Sequence, residues 1–396
     1  MKILVISTWF PLPPDNGSRM RTYNLLRQLG AEHTLDLLTL SQTERDADHL
    51  TEVQKFCRRV AVFPEPQFNP GAMRSWLGFF SPTPRYFQAH HSQELEALMT
   101  RWTREETYDA VLAITLGAAP YAAKLDIPLK VLDQHNVESQ VIKRKSQNEK
   151  SPIRRLRYMP TWIKTERFER GIASRFDAIS VVSHPERELM RTLLKNGHRD
   201  CVHVIPNGVD PALLEYPSPG KEDGLLVLNG ALTYQPNRDA AECLCREILP
   251  RVQARFPQAH VRITGGLKGV KLGSLRDIPG VEFTGYVDDI RRIVASACAL
   301  VVPLKFGGGT RLKILEAMAL GTPVVSTSVG AEGIDVTDGE DILLGETTDE
   351  LADRTVRLLA DPHLAERIAE NARALVRDRY QWPAIAEKFT RIFGPS

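Results

Sequence analysis

Val301-Val-Pro-Leu-Lys-Phe-Gly-Gly-Gly-Thr-Arg-Leu-Lys-Ile-Leu-Glu-Ala-Met-Ala-Leu-Gly-Thr-Pro-Val-Val-Ser326 reads as a buried strand, a glycine loop, a short helix and a second buried strand. Gly307, Gly308 and Gly309 leave the backbone bare where the helix begins. The first N–H groups of a helix lack internal partners, and the helix dipole makes that end electropositive. Lys305, Arg311 and Lys313 add full charges, so the spot suits a phosphate, with Thr310 beside it. Glu316 follows Lys313 at helical spacing and shares its face. A carboxylate there can accept hydrogen bonds from the paired hydroxyls of a ribose. Phosphate plus ribose means a nucleotide. The loop is neither a dinucleotide fingerprint nor a P-loop, which argues against a nicotinamide dehydrogenase.

Outward from this stretch, apolar runs alternate with helical patterns. In the first half, Ile3–Ser7, Thr34–Thr39, Ala61–Phe63, Ala110–Ile114, Lys130–Asp133 and Ala178–Val182 read as strands. Met20–Leu29 and Ser92–Glu105 have helical spacing. Beyond the turn Val204-Ile-Pro-Asn-Gly-Val-Asp-Pro211, a second series of strands covers Leu225–Asn229, His260–Thr264, Val281–Thr284, Ala299–Pro303 and Pro323–Ser326. Its expected helices are Asp239–Phe256, Asp289–Ser296, Arg311–Leu320, Asp349–Ala360 and Pro362–Asp378. Two α/β units with doubly wound parallel sheets follow, each binding ligands at the carboxyl ends of its strands. Facing each other, they would form a cleft.

Composition narrows the class. The 396 residues suffice for two domains, and 42% hydrophobic with 25% charged residues suits a globular enzyme. A net charge of +2 gives no global field for nucleic acid. The five cysteines, Cys57, Cys201, Cys243, Cys245 and Cys298, form no C-x-x-C pair and fit a reducing cytoplasm. The apolar start stops at Pro11, too short for a secretion signal, and no run nears the ~18 residues of a membrane span.

Leu315-Glu-Ala-Met-Ala-Leu-Gly-Thr-Pro-Val-Val-Ser326, together with Ile205-Pro-Asn-Gly-Val-Asp210, resembles the family 4 glycosyltransferases, the "glycosyl transferases group 1". Phe306-Gly-Gly-Gly-Thr-Arg-Leu-Lys313 is similar to bacterial exopolysaccharide enzymes of that family. The resemblance implies the GT-B fold: an N-terminal acceptor-binding Rossmann-like domain over 1–205, a donor-binding one over 206–379, and a final helix, Trp382–Phe393, crossing back to the first domain. It implies a retaining hexosyltransferase that takes a UDP- or GDP-sugar as donor and a glycan or lipid-linked sugar as acceptor, with no cofactor and no metal. Other readings are a GT-B nucleotide-sugar epimerase, a phosphorylase, or a non-catalytic binding component of a polysaccharide assembly complex.

By that resemblance Glu316 binds the donor ribose. The family's other glutamate falls on Gly308, so it is missing here, and the glycine amides could face the sugar or diphosphate instead. The family's Arg/Lys site is replaced by Asn229-Gly-Ala-Leu-Thr-Tyr-Gln-Pro-Asn-Arg238, where Arg238 is the one cation. Lys268 and Lys313 are rival partners for the diphosphate, whose charge grows in the transition state. Gly17, in Pro13-Pro-Asp-Asn-Gly-Ser-Arg19, matches a loop placed against the donor phosphates, although the same residues read as a plain helix cap. His135 in Asp133-Gln-His-Asn-Val-Glu138 is the candidate to orient or polarise the acceptor hydroxyl, since imidazole suits proton handling. Asn136 and Glu138 are acceptor-side candidates. Asp288-Asp289 reads as a helix cap rather than a metal pair.

Residues 143–170 hold ten Lys and Arg against three Glu, with Ile153, Tyr158, Trp162 and Ile163 interleaved. Such a segment can rest on anionic lipid or be a solvated helical face. Trp76-Leu-Gly-Phe-Phe80 with Tyr86 and Phe87 forms a second apolar cluster. Either could meet a lipid-linked acceptor, making the enzyme peripheral at the inner membrane.

Overall fold

The computed structural model describes residues 1–14, 16–41, 48–66, 81, 83–89, 91–149, 151–194, 200–270, 272–307 and 309–394, the side chains of 89, 148, 153 and 157 excepted. Gly308, Lys150, the Trp76–Phe80 cluster and the side chains of Ile153 and Arg157 therefore lie outside the described residues. The chain divides into two compact units, Met1–Pro206 with Pro383–Ser396, and Asn207–Trp382.

In the first unit, strands β1 (Lys2–Ser7), β2 (Thr34–Ser41), β3 (Arg59–Pro64), β4 (Ala110–Ile114), β5 (Leu129–Gln134), β6 (Ala178–Val181) and β7 (Val202–Val204) form one sheet. Its order is β3-β2-β1-β4-β5-β6-β7, and every pairing is parallel. All five residues of β4 are buried, as continuous apolar strands are when helices cover both faces. The sheet runs outward in both directions from the β1/β4 boundary, which makes that boundary its switch point.

In the second unit, β8 (Leu225–Asn229), β9 (His260–Thr264), β10 (Val281–Gly285), β11 (Ala299–Val302), β12 (Val324–Ser326) and β13 (Leu343–Leu344) form a second parallel sheet. Its order, β10-β9-β8-β11-β12-β13, puts the switch point between β8 and β11.

Local chemistry sets the helix boundaries. Asn16 caps Gly17–Glu32 by accepting from the Arg19 amide at 3.1 Å, so this helix starts before the expected Met20. Thr347 and Glu350 form a reciprocal capping box ahead of Thr348–Ala360. The helix expected over Asp239–Phe256 is instead Gln235–Cys243, a π-helical turn at Leu244–Ile248, and Leu249–Gln253. Pro250 explains the break: it has no N–H to donate, and its ring opposes the carbonyl four residues back. Toward the C-terminus, Trp382–Thr390 is helical and Arg391–Phe393 a single 3₁₀ turn. Phe393 rests beside His33, ring centres 6.2 Å apart.

Candidate functional site

In the second unit, β11 delivers the chain to the glycine loop, and Leu312–Ala319 is the helix that follows. Arg311 is its cap residue and is 9% exposed. Its Nη1 donates to the Gly309 carbonyl at 2.7 Å. Gly307 has a φ of 145°, and any Cβ there would collide with the Arg311 guanidinium. Glycine thus lets Arg311 fold back onto its own loop.

Lys313 reaches across to the end of β8, where its Nζ donates to Asn237 Oδ1 at 3.0 Å. A Cβ on Gly230 would lie 2.7 Å from that Nζ and 2.8 Å from Asn237 Nδ2. The lysine head therefore sits on bare backbone at the β8/β11 switch point. Burial and the nearby Arg311 charge lower Lys313 to about 7, with Glu316 opposing them. Burial raises Glu316, against the pull of Lys313. Asn229 Oδ1, Thr264 Oγ1 and Thr310 Oγ1 are buried here without a hydrogen-bond partner in the protein. Two cations and a carboxylate one helical turn on form a set suited to a diphosphate and an adjacent diol.

The other cations expected here are placed differently. Arg238 turns its guanidinium to Gln235, so its neighbour Asn237 is the residue that meets Lys313. Lys268 and Lys305 are exposed. Sequence reasoning missed Asn237 because an Asn-Arg-Asp helix start draws attention to its charge. Gly17, in the first unit, is the exposed first residue of its helix. Asp289 accepts from the Arg291 amide at 2.9 Å and pairs with its guanidinium at 2.8 Å. Among the described residues no group of three or more His, Cys, Asp or Glu side chains is placed to hold a metal ion.

In the first unit a cavity of about 740 Å³ lies at the β1/β4 switch point, lined by residues that follow β1, β4 and β5. Thr8 and Thr115 share a hydroxyl hydrogen bond of 2.8 Å on its wall. Thr115 has a φ of 72°, a strained conformation for a β-branched residue. His135, Asn136 and Glu138 all line this cavity. His135 is held from both sides, Nδ1 3.1 Å from Ser18 Oγ and Nε2 3.1 Å from Asp133 Oδ2.

Behind His135 stands a buried clamp with no sequence signal. Asp133 is fully buried, and Arg21 Nη2 donates to its Oδ1 at 2.6 Å while Arg21 Nε donates to its Oδ2 at 2.9 Å. Ser180 adds a hydroxyl at 2.5 Å. Burial alone would raise the Asp133 carboxyl, but Arg21 and His135 outweigh it and hold it far below its ordinary range. Arg21 Nη1 also donates to the carbonyls of Ile205 and Pro206, at 2.9 and 3.1 Å. The opening of the Ile205-Pro-Asn-Gly turn is thereby tied to the His135 strand.

The basic segment forms two helices, Glu138–Asn148 and Pro152–Ala173. Lys143 sits over Trp162 at 5.0 Å and Lys145 over Tyr158 at 5.4 Å. The interleaved aromatics are thus occupied within the pair. Among the described residues, the large apolar ones it exposes are Leu156, Met159 and Ile163, at 70%, 47% and 39%. Of the second cluster, Tyr86 and Phe87 are described. Both line the cavity, and Phe87 stacks on Phe168 at 4.9 Å.

Two doubly wound parallel α/β units make up the chain, and known proteins give its family. The profile for "Glycosyltransferase Family 4" matches residues 15–213 and that for "Glycosyl transferases group 1" matches residues 224–361. The chain belongs to this family of glycosyltransferases. It is 22% identical over 391 residues to an uncharacterized 44.6 kDa protein in the cps region of Klebsiella pneumoniae, covering 96% of each chain. It is 32% identical over 202 residues to phosphatidyl-myo-inositol mannosyltransferase of Mycobacterium leprae, covering 48% of this chain and 52% of that one. The chain thus spans about half the length of that mannosyltransferase. Its fold matches Anabaena HepE, solved in complex with UDP, with a TM-score of 0.71 and 18% identity over 99% of both chains. The fold is GT-B.

Proposed function

We propose that the chain is a retaining hexosyltransferase that moves a hexose from a UDP- or GDP-sugar to a hydroxyl of a glycan or lipid-linked sugar, in bacterial surface polysaccharide biosynthesis. The observation that carries this is the cradle of Lys313, Asn237 and bare Gly230, with Glu316 one helical turn beyond. Support for the setting comes from the relative in a cps region, and for the donor from the neighbour solved with UDP.

In the proposed reaction the bond from the anomeric carbon to the diphosphate oxygen breaks, and the acceptor oxygen bonds to that carbon on the same face. The acceptor proton passes to a departing phosphate oxygen. Lys313, Arg311 and the loop amides meet the growing diphosphate charge, so the reading assigns no step to a metal. Glu316 holds the ribose. His135, fixed between Ser18 and Asp133, orients the acceptor hydroxyl. Thermal-shift screening against UDP and GDP tests the donor, and the anomeric configuration of the product tests retention. Activity abolished by EDTA and restored by Mn²⁺ would overturn the metal-free reading. Epimerised donor formed with no acceptor present would replace transfer by isomerisation.

The reading places the enzyme in the cytoplasm, peripheral at the inner membrane. Leu156, Met159 and Ile163 share one face of Pro152–Ala173, with Arg154, Arg155 and Arg167 also exposed on that helix. Apolar anchors ringed by cations suit an anionic leaflet. Among the described residues no helix is long and apolar enough to cross a membrane. Flotation with phosphatidylglycerol vesicles at low salt tests the contact. Protein left at the bottom of the gradient removes it.

A further inference from the structure

The helix Glu138–Asn148 starts close behind His135 and has no side-chain cap of its own. Its cap residue is Val137, whose side chain carries no acceptor. The first N–H groups of a helix need partners from elsewhere. Here two other helices supply them. Glu186, on His184–Leu194, accepts the Val137 amide at 2.7 Å. Glu169, on Pro152–Ala173, accepts the Glu138 amide through Oε1 at 2.8 Å and the Ser139 amide through Oε2 at 3.0 Å. Three successive amides are thus held by two buried carboxyl groups.

The arrangement is an unfavourable way to cap a helix. Burial raises Glu169 to about 7, although its hydrogen bonds pull the other way. Burial, with Glu169 and Glu186 nearby, raises Glu138 to about 7 as well. A serine or threonine in place of Val137 would cap the helix without crowding buried carboxyl groups together. A local cap, however, fixes the first turn only to itself. Remote carboxylates fix it to the two helices that carry them. Gln134, the last residue of β5, joins the same group by donating Nε2 to Glu169 Oε1. Its carboxamide serves either charge state of Glu169: the NH₂ meets a carboxylate, and a turned carbonyl accepts from the acid.

We propose that Glu169 and Glu186 are positioning residues that clasp the Val137, Glu138 and Ser139 amides and thereby hold His135 in place at the carboxyl end of β5. Upstream of His135 the chain is fixed at Asp133 by Arg21 and Ser180. Downstream the clasp does the same, so the imidazole sits on a segment secured at both ends. A group misplaced by about 1 Å can lose 10²-fold in rate. That catalytic consequence rests on the proposed role of His135, whereas the clasp does not.

The test combines amide exchange followed by mass spectrometry with NMR of the ¹³C-labelled histidine rings, on the full chain. In wild type the 137–139 amides should exchange as slowly as those of the helix interior, although they lie in a first turn. Glu169→Gln and Glu186→Gln each put an NH₂ among N–H donors. Each should speed exchange over 137–139 tenfold or more and shift or broaden the His135 resonance, assigned with His135→Gln. The His260 resonance and UDP or GDP affinity should stay as in wild type. Release of UDP or GDP from the matching hexose donor should fall 10- to 100-fold in kcat, with donor KM unchanged. Glu169→Asp keeps the charge but retracts it by one methylene, and it replaces a glutamine variant that fails to fold. Fast exchange of the three amides in wild type overturns the proposal. So does faster exchange in the variants with the His135 resonance unmoved, because the two glutamates would then cap a helix and nothing more. A wild type that releases neither nucleotide sinks the transferase reading, and the exchange and imidazole readouts still decide the clasp.

Discussion

The two switch points are built in opposite ways. At the β8/β11 switch point the surface is main chain: Gly230 and Gly307 are bare so that Lys313 and Arg311 can lie directly on them. At the β1/β4 switch point the surface is side chain, a cavity walled by His135, Gln134, Asn136 and Glu138 and braced by buried charges behind. A diphosphate is the same anion in every nucleotide sugar, and arginine and lysine heads laid on bare backbone suit it whatever the sugar. Acceptors differ in hydroxyl pattern, and only side chains can be varied to read that pattern. On the proposed reading the contrast is between a generic grip and a specific one.

Four measurements break or sharpen that contrast. The largest effect is expected in the braced half. Arg21→Met strands a fully buried Asp133 carboxylate and should cost about 3–5 kcal/mol of stability in urea unfolding. Asp133 is held below its ordinary range, so the clamp contributes above the unfolded carboxyl pKa and fades as pH falls toward and below it. A loss under 1 kcal/mol at pH 7 would show that the half is not braced this way.

Next is Lys313→Met, expected to lower kcat/KM by roughly 10²–10³ and to weaken UDP or GDP binding. Equal turnover by variant and wild type would take Lys313 out of the donor grip. Third, Glu138→Gln should raise stability at pH 8 by roughly 1–2 kcal/mol and change little at pH 4. Its carboxyl is raised from 4.5 to about 7, so the folded chain binds more protons than the unfolded one between those values. Stability therefore falls as pH climbs through that window and stays lower above it, and glutamine removes the penalty. Denaturant midpoints at the two pH values decide it.

The smallest effect is a proton. With Lys313 lowered to about 7, the free protein holds it largely neutral at pH 8. A bound diphosphate restores its charge, so binding should take up roughly half to one proton. Calorimetry with UDP in phosphate and in Tris at pH 8 would then give different apparent enthalpies. Identical enthalpies in the two buffers would mean that Lys313 is already charged or is not at the diphosphate.

The generic half was the more legible in sequence, for the same reason that it is generic. Glycines, a cation and a carboxylate at helical spacing sit within one short stretch, so local pattern contains nearly all of it. Ala110–Ile114, Leu225–Asn229 and His260–Thr264 were likewise readable as strands, because each is a continuous apolar or alternating run bounded by polar turns. Val202–Val204 was not, being three residues paired only along β6. The π turn ahead of Pro250 was hidden because apolar periodicity continues through it. The specific half depends on partners far apart in the chain. Arg21 finds Asp133 across 112 positions and Glu169 finds Gln134 across 35, and no local spacing announces either pair. The basic segment was legible in charge but not in orientation: Trp162 and Tyr158 turn to Lys143 and Lys145, while Leu156, Met159 and Ile163 face outward.

Thr115 carries a further consequence. Its left-handed backbone at a φ of 72° is a conformation glycine would adopt freely, yet its hydroxyl pins Thr8 on the cavity wall. Replacing it by glycine would release about 1–3 kcal/mol of tension and unfasten that wall in the same stroke. Selection for heat resistance and selection for turnover would pull this one codon in opposite directions.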